Sequence, residues 1–327
     1  MKRSGAVWSW TILACAIGIA GAYAAPRVAP RISEDGFRVT HFDQCGYQGR
    51  APGGPASLRP QRGTIYDIEC SRGESWGSFA YLAIGAWNQD VDPIGLVERV
   101  SFSGDSSTFL YRGTHIRTVG LSFTPPGWRG GDLLLVATVP ADFMEHSSML
   151  VAYDAALAGR TIAYRIDGTV GSGAADPSGA FGFDLFYAAS DGYVGDLIFV
   201  PGAIFRIDAA GDESAFADRR FGEMRFGPGG AWGSDLYVAG GTVAPDGSFT
   251  FFPAAFSEFD WAGGPGFGGD MFAYITGEDP GTIFRVKPDG TMTVFATSAN
   301  GVLAGCGNAL WIANGEGCFV VEPRGKR

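Results

Sequence analysis

The sequence predicts an all-β protein folded as a six-bladed β-propeller, and three observations carry that expectation. A tight glycine turn feeding one apolar strand, clearest at Ala231-Trp232-Gly233-Ser234-Asp235-Leu236-Tyr237-Val238-Ala239, recurs in imperfect copies beginning at Ser75, Gly127, Ala180, Gly266 and Gly305. The copies lie roughly 35 to 53 residues apart, the period of a propeller blade. Asp-Gly dipeptides at Asp246-Gly247 and Asp289-Gly290 then interrupt alternating apolar runs, as hairpins do. Finally, 51 glycines and 25 phenylalanines in a chain that is 46% hydrophobic describe a turn-rich, aromatic-packed β protein. The glycines have no triplet period, which excludes collagen, and the hydrophobic content argues against disorder.

From the N-terminus, residues 1–24 read as a secretory signal. Lys2 and Arg3 form its charged start, Val7 to Ala20 its apolar run, and Ala22-Tyr23-Ala24 its small-residue exit. An uncleaved anchor and a lipoprotein signal at Ile12-Leu13-Ala14-Cys15 are the alternatives. No later stretch would span a bilayer. The mature chain from residue 25 is expected to be one domain, secreted or periplasmic, and a monomer. Its formal charge of −10 falls to −12 when the two cations of the signal leave, so nucleic acid is not an expected partner.

Blades are expected over about 64–113, 114–168, 169–218, 219–254, 255–298 and 299–323. In the fifth, Ile283-Phe284-Arg285-Val286 leads into Asp289-Gly290, read as a two-residue type I′ turn, and then Met292, Val294 and Ala296. The second has two possible outer turns, at Asp154 to Gly159 or at Asp167-Gly168. The sixth lacks an outer strand, and Phe37, Val39 and His41 alternate in a segment able to supply it from the front of the mature chain, closing the ring. Four cysteines remain after cleavage. Bonds Cys45–Cys70 and Cys306–Cys318 are preferred among the three pairings, the first bracketing the long loop near the N-terminus and the second a short hairpin-sized segment; no Cys-x-x-Cys supports zinc.

Units reading glycine turn, Asp-Leu-Tyr-Val-Ala, Ile-Phe-Arg-Val and Pro-Asp-Gly-Thr resemble the six-bladed propellers of the NHL-repeat and gluconolactonase-like groups over nearly the whole mature chain. The shared residues are structural, so the resemblance speaks to fold more than to activity. It implies a catalytic metal, calcium being the candidate, held by Glu, Asp and Asn on inner strands. The four asparagines, Asn88, Asn300, Asn308 and Asn314, do not match that pattern blade by blade. The inner-strand candidates here are Glu69, Glu223 and Asp260. Converging on the axis, they would bind calcium or raise one another's pKa; the alternative is that each pairs with an arginine or a backbone donor.

The loops between second and third strands and between blades share one face, which collects Asp92, Arg112, His115, Glu145, His146, Asp191, Asp196, Arg219, Glu278 and Asp279. The repeated Asp132, Asp184, Asp235 and Asp270 are expected to accept backbone N–H bonds inside the glycine turns. No nucleophile elbow, phosphate loop or zinc-protease motif is present. The expected function is a module binding a protein or glycan on its loop face; the alternative is a calcium-assisted hydrolase or lactonase in the central channel.

Overall fold

The computed structural model describes residues 29–43, Cys45 and 63–325, apart from breaks at 72–73, 89–90, 115, 126, 141–146, 167, 191–192, 195–197, 200–201, 219–222, 253, 265, 276–277, 279–280 and 315–316. The expected signal, residues 1–24, lies outside the described residues. Six antiparallel sheets of four or five strands follow one another along the chain, each a blade whose first strand is innermost, and Tyr193–Val194 pairs with Ile198–Phe199 in a separate two-stranded ribbon. Blade 1 runs over residues 64–114, blade 2 over 116–166, blade 3 over 169–218 and blade 4 over 224–251. Blade 5 covers 256–297, and blade 6 combines 302–323 with 37–42. Among the described residues no helix is long and apolar enough to cross a membrane.

The ring closes as expected. Phe37–Phe42 pairs antiparallel with Gly317–Pro323, Val39 opposite Val321 and Phe42 opposite Cys318. One feature was not foreseen: Arg31–Ile32 adds a fifth strand to the outer edge of blade 5, with Ile32 opposite Ala296. A single segment thus caps blade 5, turns at Gly36 (φ +91°) and completes blade 6. Glu34 anchors it through Arg285, 2.7 Å away.

The cysteine pairing differs from expectation. The bonds are Cys45–Cys318 and Cys70–Cys306, not Cys45–Cys70 and Cys306–Cys318. Cys306 ends the inner strand of blade 6 and Cys318 lies in its third strand, with Ala309–Asn314 between them. Two strand spacings of ~4.8 Å each put that pair beyond disulfide reach. Ring closure instead sets the inner strands of blades 1 and 6 side by side, and it brings Cys45, just past the closing strand, to Cys318. Both bonds have Cα–Cα distances of 5.4 Å.

The glycine turns owe their composition to contacts between blades. Trp76 Nε1 donates to the Asp132 carbonyl (3.1 Å), Trp128 Nε1 to Phe183 (2.8 Å) and Trp232 Nε1 to Gly269 (2.9 Å). Each indole therefore reaches the turn of the next blade. Tyr81 and Tyr237, five residues on, return a hydroxyl bond to the carbonyl of their own tryptophan. The repeated aspartates divide by role. Asp132 accepts the Gly127 N–H at 2.9 Å, as expected. Asp184 and Asp270 instead hold the third-strand arginines Arg206 and Arg285. In blade 3 the turn is organised by buried Asp176, which accepts from the N–H groups of Ser178, Gly179, Phe181 and Phe183.

Blade 2 turns at Asp154, whose N–H donates to the Ala158 carbonyl. At Asp289-Gly290 only Gly290 has positive φ, +81°. The connection is therefore a type I turn followed by a left-handed glycine rather than type I′, with Asp289 Oδ1 accepting the Thr291 N–H. Non-reducing peptide mapping should recover the Cys45–Cys318 and Cys70–Cys306 peptides. Cys70→Ser with Cys306→Ser should lower unfolding stability by ~2–5 kcal/mol in denaturant titration.

Candidate functional site

Side chains two apart on a strand share a face, so each inner strand can present two residues, one above the other, to the channel. Blades 1, 4 and 5 use both positions for charge. Glu69, Arg225 and Asp260 lie opposite Tyr81, Tyr237 and Phe272, corresponding residues of their second strands, and so form one tier. Asp67, Glu223 and Glu258 form the tier below. The residues matching the upper tier in blades 3 and 6 are Ala174, opposite Phe186, and Gly305, opposite Leu310. The channel is therefore charged on three blades and lined by small side chains on two of the others.

Arg225 organises the cluster. Blades 4 and 1 face each other across a six-membered ring, and the Arg225 guanidinium spans the axis to pair with Glu69 through Nη1. Glu223 Oε1 lies 2.8 Å from Nε, Asp260 Oδ2 3.7 Å from Nη1 and Asp67 Oδ1 3.8 Å from Nη2. Two of the acids also tie blades together. Asp67 accepts the N–H groups of Ile68 (2.7 Å) and, from blade 2, Leu121 (2.6 Å). Asp260 accepts those of Trp261 (2.8 Å) and, from blade 6, Gly305 (2.7 Å).

Burial and mutual repulsion tune the lower tier. Desolvation, then the nearby Glu223, pushes the Asp67 carboxyl well above the usual carboxylate range against the pull of Arg225. Glu258 is raised well above its ordinary value by burial and by the charges of Glu223 and Asp67. Burial lifts Glu223 to about 7, with Arg225 opposing and Glu69 and Asp260 assisting. Arg225, ringed by carboxylates, is held above its already high value despite its burial.

Above this floor, a cavity of about 620 Å³ opens at the glycine-turn end of the channel. Ser122, Ala174, Ser178 and Gly305 are among its small wall residues, Trp261 is its one indole, and Arg225 and Asp260 meet it from below. The guanidinium crosses the channel beneath the cavity, which gives the site the form of a cup.

The three inner-strand carboxylates singled out from sequence, Glu69, Glu223 and Asp260, are thus brought together, around a guanidinium. Arg225, Asp67 and Glu258 were missed. The signal for them was the period of two: Asp67-Ile68-Glu69, Glu223-Met224-Arg225 and Glu258-Phe259-Asp260 each place two charges on one face of an apolar strand. Calcium wants six to eight oxygens at ~2.3–2.6 Å. Here both oxygens of Asp67 and of Asp260 accept backbone N–H groups, and Glu69 and Glu223 are paired with Arg225. The residues as arranged do not fit a calcium ion. No group of three or more His, Cys, Asp and Glu among the described residues has the geometry to hold a metal.

Of the loop-face residues, His115, Glu145, His146, Asp191, Asp196, Arg219 and Asp279 lie outside the described residues, and Asp92 is described only as backbone of Val91–Ser101. Arg112 donates to the Tyr153 hydroxyl and lies 5.7 Å from the centre of that ring, between blades 1 and 2. Glu278 is exposed in the turn after Ile275. The cup opens at the other end of the channel, beside the turns.

The fold is shared with several solved structures. The chain superposes on a putative gluconolactonase with a TM-score of 0.54 at 13% identity, covering 90% of this chain and 98% of that one. It superposes on the calcium-binding protein regucalcin of Agrobacterium tumefaciens strain C58 with a TM-score of 0.50 at 13% identity, covering 81% and 96%. For a glucose dehydrogenase the TM-score is 0.54 at 10% identity, covering 88% and 99%. At such identities the likeness is one of fold. No protein-family model and no curated protein matches the sequence.

The raised carboxyl groups give the channel a definite pH response. A carboxyl whose folded-state pKa is raised adds stability that is fully present below its unfolded value, ~4.3 for Glu, and is lost as pH rises through the folded value. For Glu223 that loss is complete only above about 7. The melting temperature should therefore fall as pH is raised from 5 to 8. Glu258→Gln should flatten this slope in melting curves taken across the range.

Proposed function

We propose that the protein is a small-molecule hydrolase whose reaction takes place in the turn-side cup, with a lactone or similar ester of a polyhydroxylated acid as its substrate class. One observation carries the reading: a cation and a carboxylate stand together at the floor of a ligand-sized cavity, Arg225 Nη1 and Asp260 Oδ2 being 3.7 Å apart. In the proposed reaction Arg225 donates hydrogen bonds to the substrate carbonyl oxygen as it gains negative charge. Asp260, whose Oδ2 keeps a second lone pair beside the one that accepts the Gly305 N–H, orients a water and takes one of its protons while the water oxygen bonds to the carbonyl carbon. The ester C–O bond then breaks, and the departing alkoxide recovers that proton from Asp260, leaving a hydroxy acid. Burial and mutual repulsion disfavour the charged forms of Asp67 and Glu258, which leaves more of the Arg225 charge to act on the substrate.

The similarly folded putative gluconolactonase and glucose dehydrogenase support a small, sugar-derived ligand of this kind. Regucalcin, with the same fold, is a calcium-binding protein; since the carboxylates here do not fit that ion, no step is routed through it. The two disulfides are consistent with an oxidising compartment, and we include export to the periplasm or cell exterior in the proposal.

Acid release from gluconolactone and simpler lactones tests the reading on the purified mature chain. Turnover above the spontaneous rate is expected, with a loss of roughly 100-fold or more in Asp260→Asn. Failure to hydrolyse any lactone, or full activity in a folded Asp260→Asn protein, would overturn it.

A further inference from the structure

We infer that Arg225 is the built-in counter-cation of the channel, and that the ring folds and stays stable without calcium because the guanidinium occupies the place a cation would otherwise take among these carboxylates. Four acids, Asp67, Glu69, Glu223 and Asp260, lie within 3.8 Å of one arginine that is itself only 7% exposed, and the charge of that arginine also acts on Glu258. Such an assembly needs positive charge at its centre, since carboxylates brought together out of water repel one another and lose their hydration. An inner-strand arginine supplies that charge permanently. Its guanidinium stays protonated at all working pH values, and its planar fork of five N–H donors can serve several carboxylates at once.

The arrangement also excludes a second cation. Arg225 reaches Glu69 on the far side of the ring and meets Glu223, Asp260 and Asp67 on the way. Asp67 and Asp260 spend their oxygens on backbone N–H groups that join blade 1 to blade 2 and blade 5 to blade 6. An ion entering here would have to displace the guanidinium and break both ties. The arginine therefore links three blades directly and holds two further blades through the acids it fixes.

Calcium chloride titration by calorimetry, together with melting curves in calcium and in chelator, tests this directly. The intact protein should give no stoichiometric binding heat and the same melting temperature in both conditions. Arg225→Ala should lose roughly 5 °C or more, because the buried carboxylates are then left without their counter-cation. If Arg225→Ala does not fold, Arg225→Met combined with Glu69→Gln and Glu223→Gln should, because it removes the charges the arginine was balancing. One-to-one calcium binding with a higher melting temperature in the intact protein would overturn the inference. So would an Arg225→Ala protein of unchanged stability, or a neutralised triple variant no more stable than Arg225→Ala. The readouts are binding heat and melting, so this inference and the hydrolase reading can fail independently.

Discussion

The structure depends on one pairing: residues 37–42 against residues 317–323. Without it the last blade has three strands and the ring an open seam, and a sheet edge exposed there would be free to pair with other chains. Everything near the seam reinforces that pairing. Both disulfides cross the seam, Arg31–Ile32 just upstream adds a strand to blade 5, and a core cluster built on Ile68, Leu82 and Trp311 fills the space between blades 1 and 6. These bonds join residues 273 and 236 positions apart, and cross-links over such long loops restrict the unfolded chain most. A closed ring is also what makes six inner strands converge on one axis.

At that axis, convergence creates an electrostatic problem and one side chain answers it. Each carboxylate of the cluster sits on a strand that must be buried for the blade to pack, so none can move to water. Arg225 offsets their repulsion from the opposite side of the ring, and the backbone N–H groups of Leu121 and Gly305 complete the hydrogen bonding of Asp67 and Asp260. The tryptophans of the glycine turns serve the same end further out, each tying its blade to the next through a carbonyl. Adjacent blades are thus joined by directional bonds as well as apolar packing, and this gives the cup above Arg225 a defined floor and wall.

The repeat, the number of blades and the closing strand were all legible in the sequence, because each follows from local patterns: glycine where φ must be positive, alternation where one face is buried, and a last unit short by one strand. That Glu69, Glu223 and Asp260 lie at inner-strand positions was legible too, but that they meet around a guanidinium was not. The cysteine pairing was not read correctly, although the predicted closure implied it. Cysteines consecutive in sequence suggested neighbours, whereas a ring makes neighbours of its two ends. The pairing of Asp184 and Asp270 with Arg206 and Arg285 escaped notice for a related reason. A repeated acid looks like a turn residue until the third strand is seen lying beside it.

The sequence by itself determined that this chain is a ring of six β-sheets and which of its strands are innermost, because strand period and turn chemistry are properties of a few adjacent residues. Only the tertiary structure decided that a guanidinium from blade 4 meets carboxylates from blades 1 and 5, and that the resulting floor lies under a cavity at the turn end. Those facts depend on distances across the axis between residues as far apart as Glu69 and Arg225, 156 positions along the chain. No local pattern encodes which charge will face which until the ring is closed.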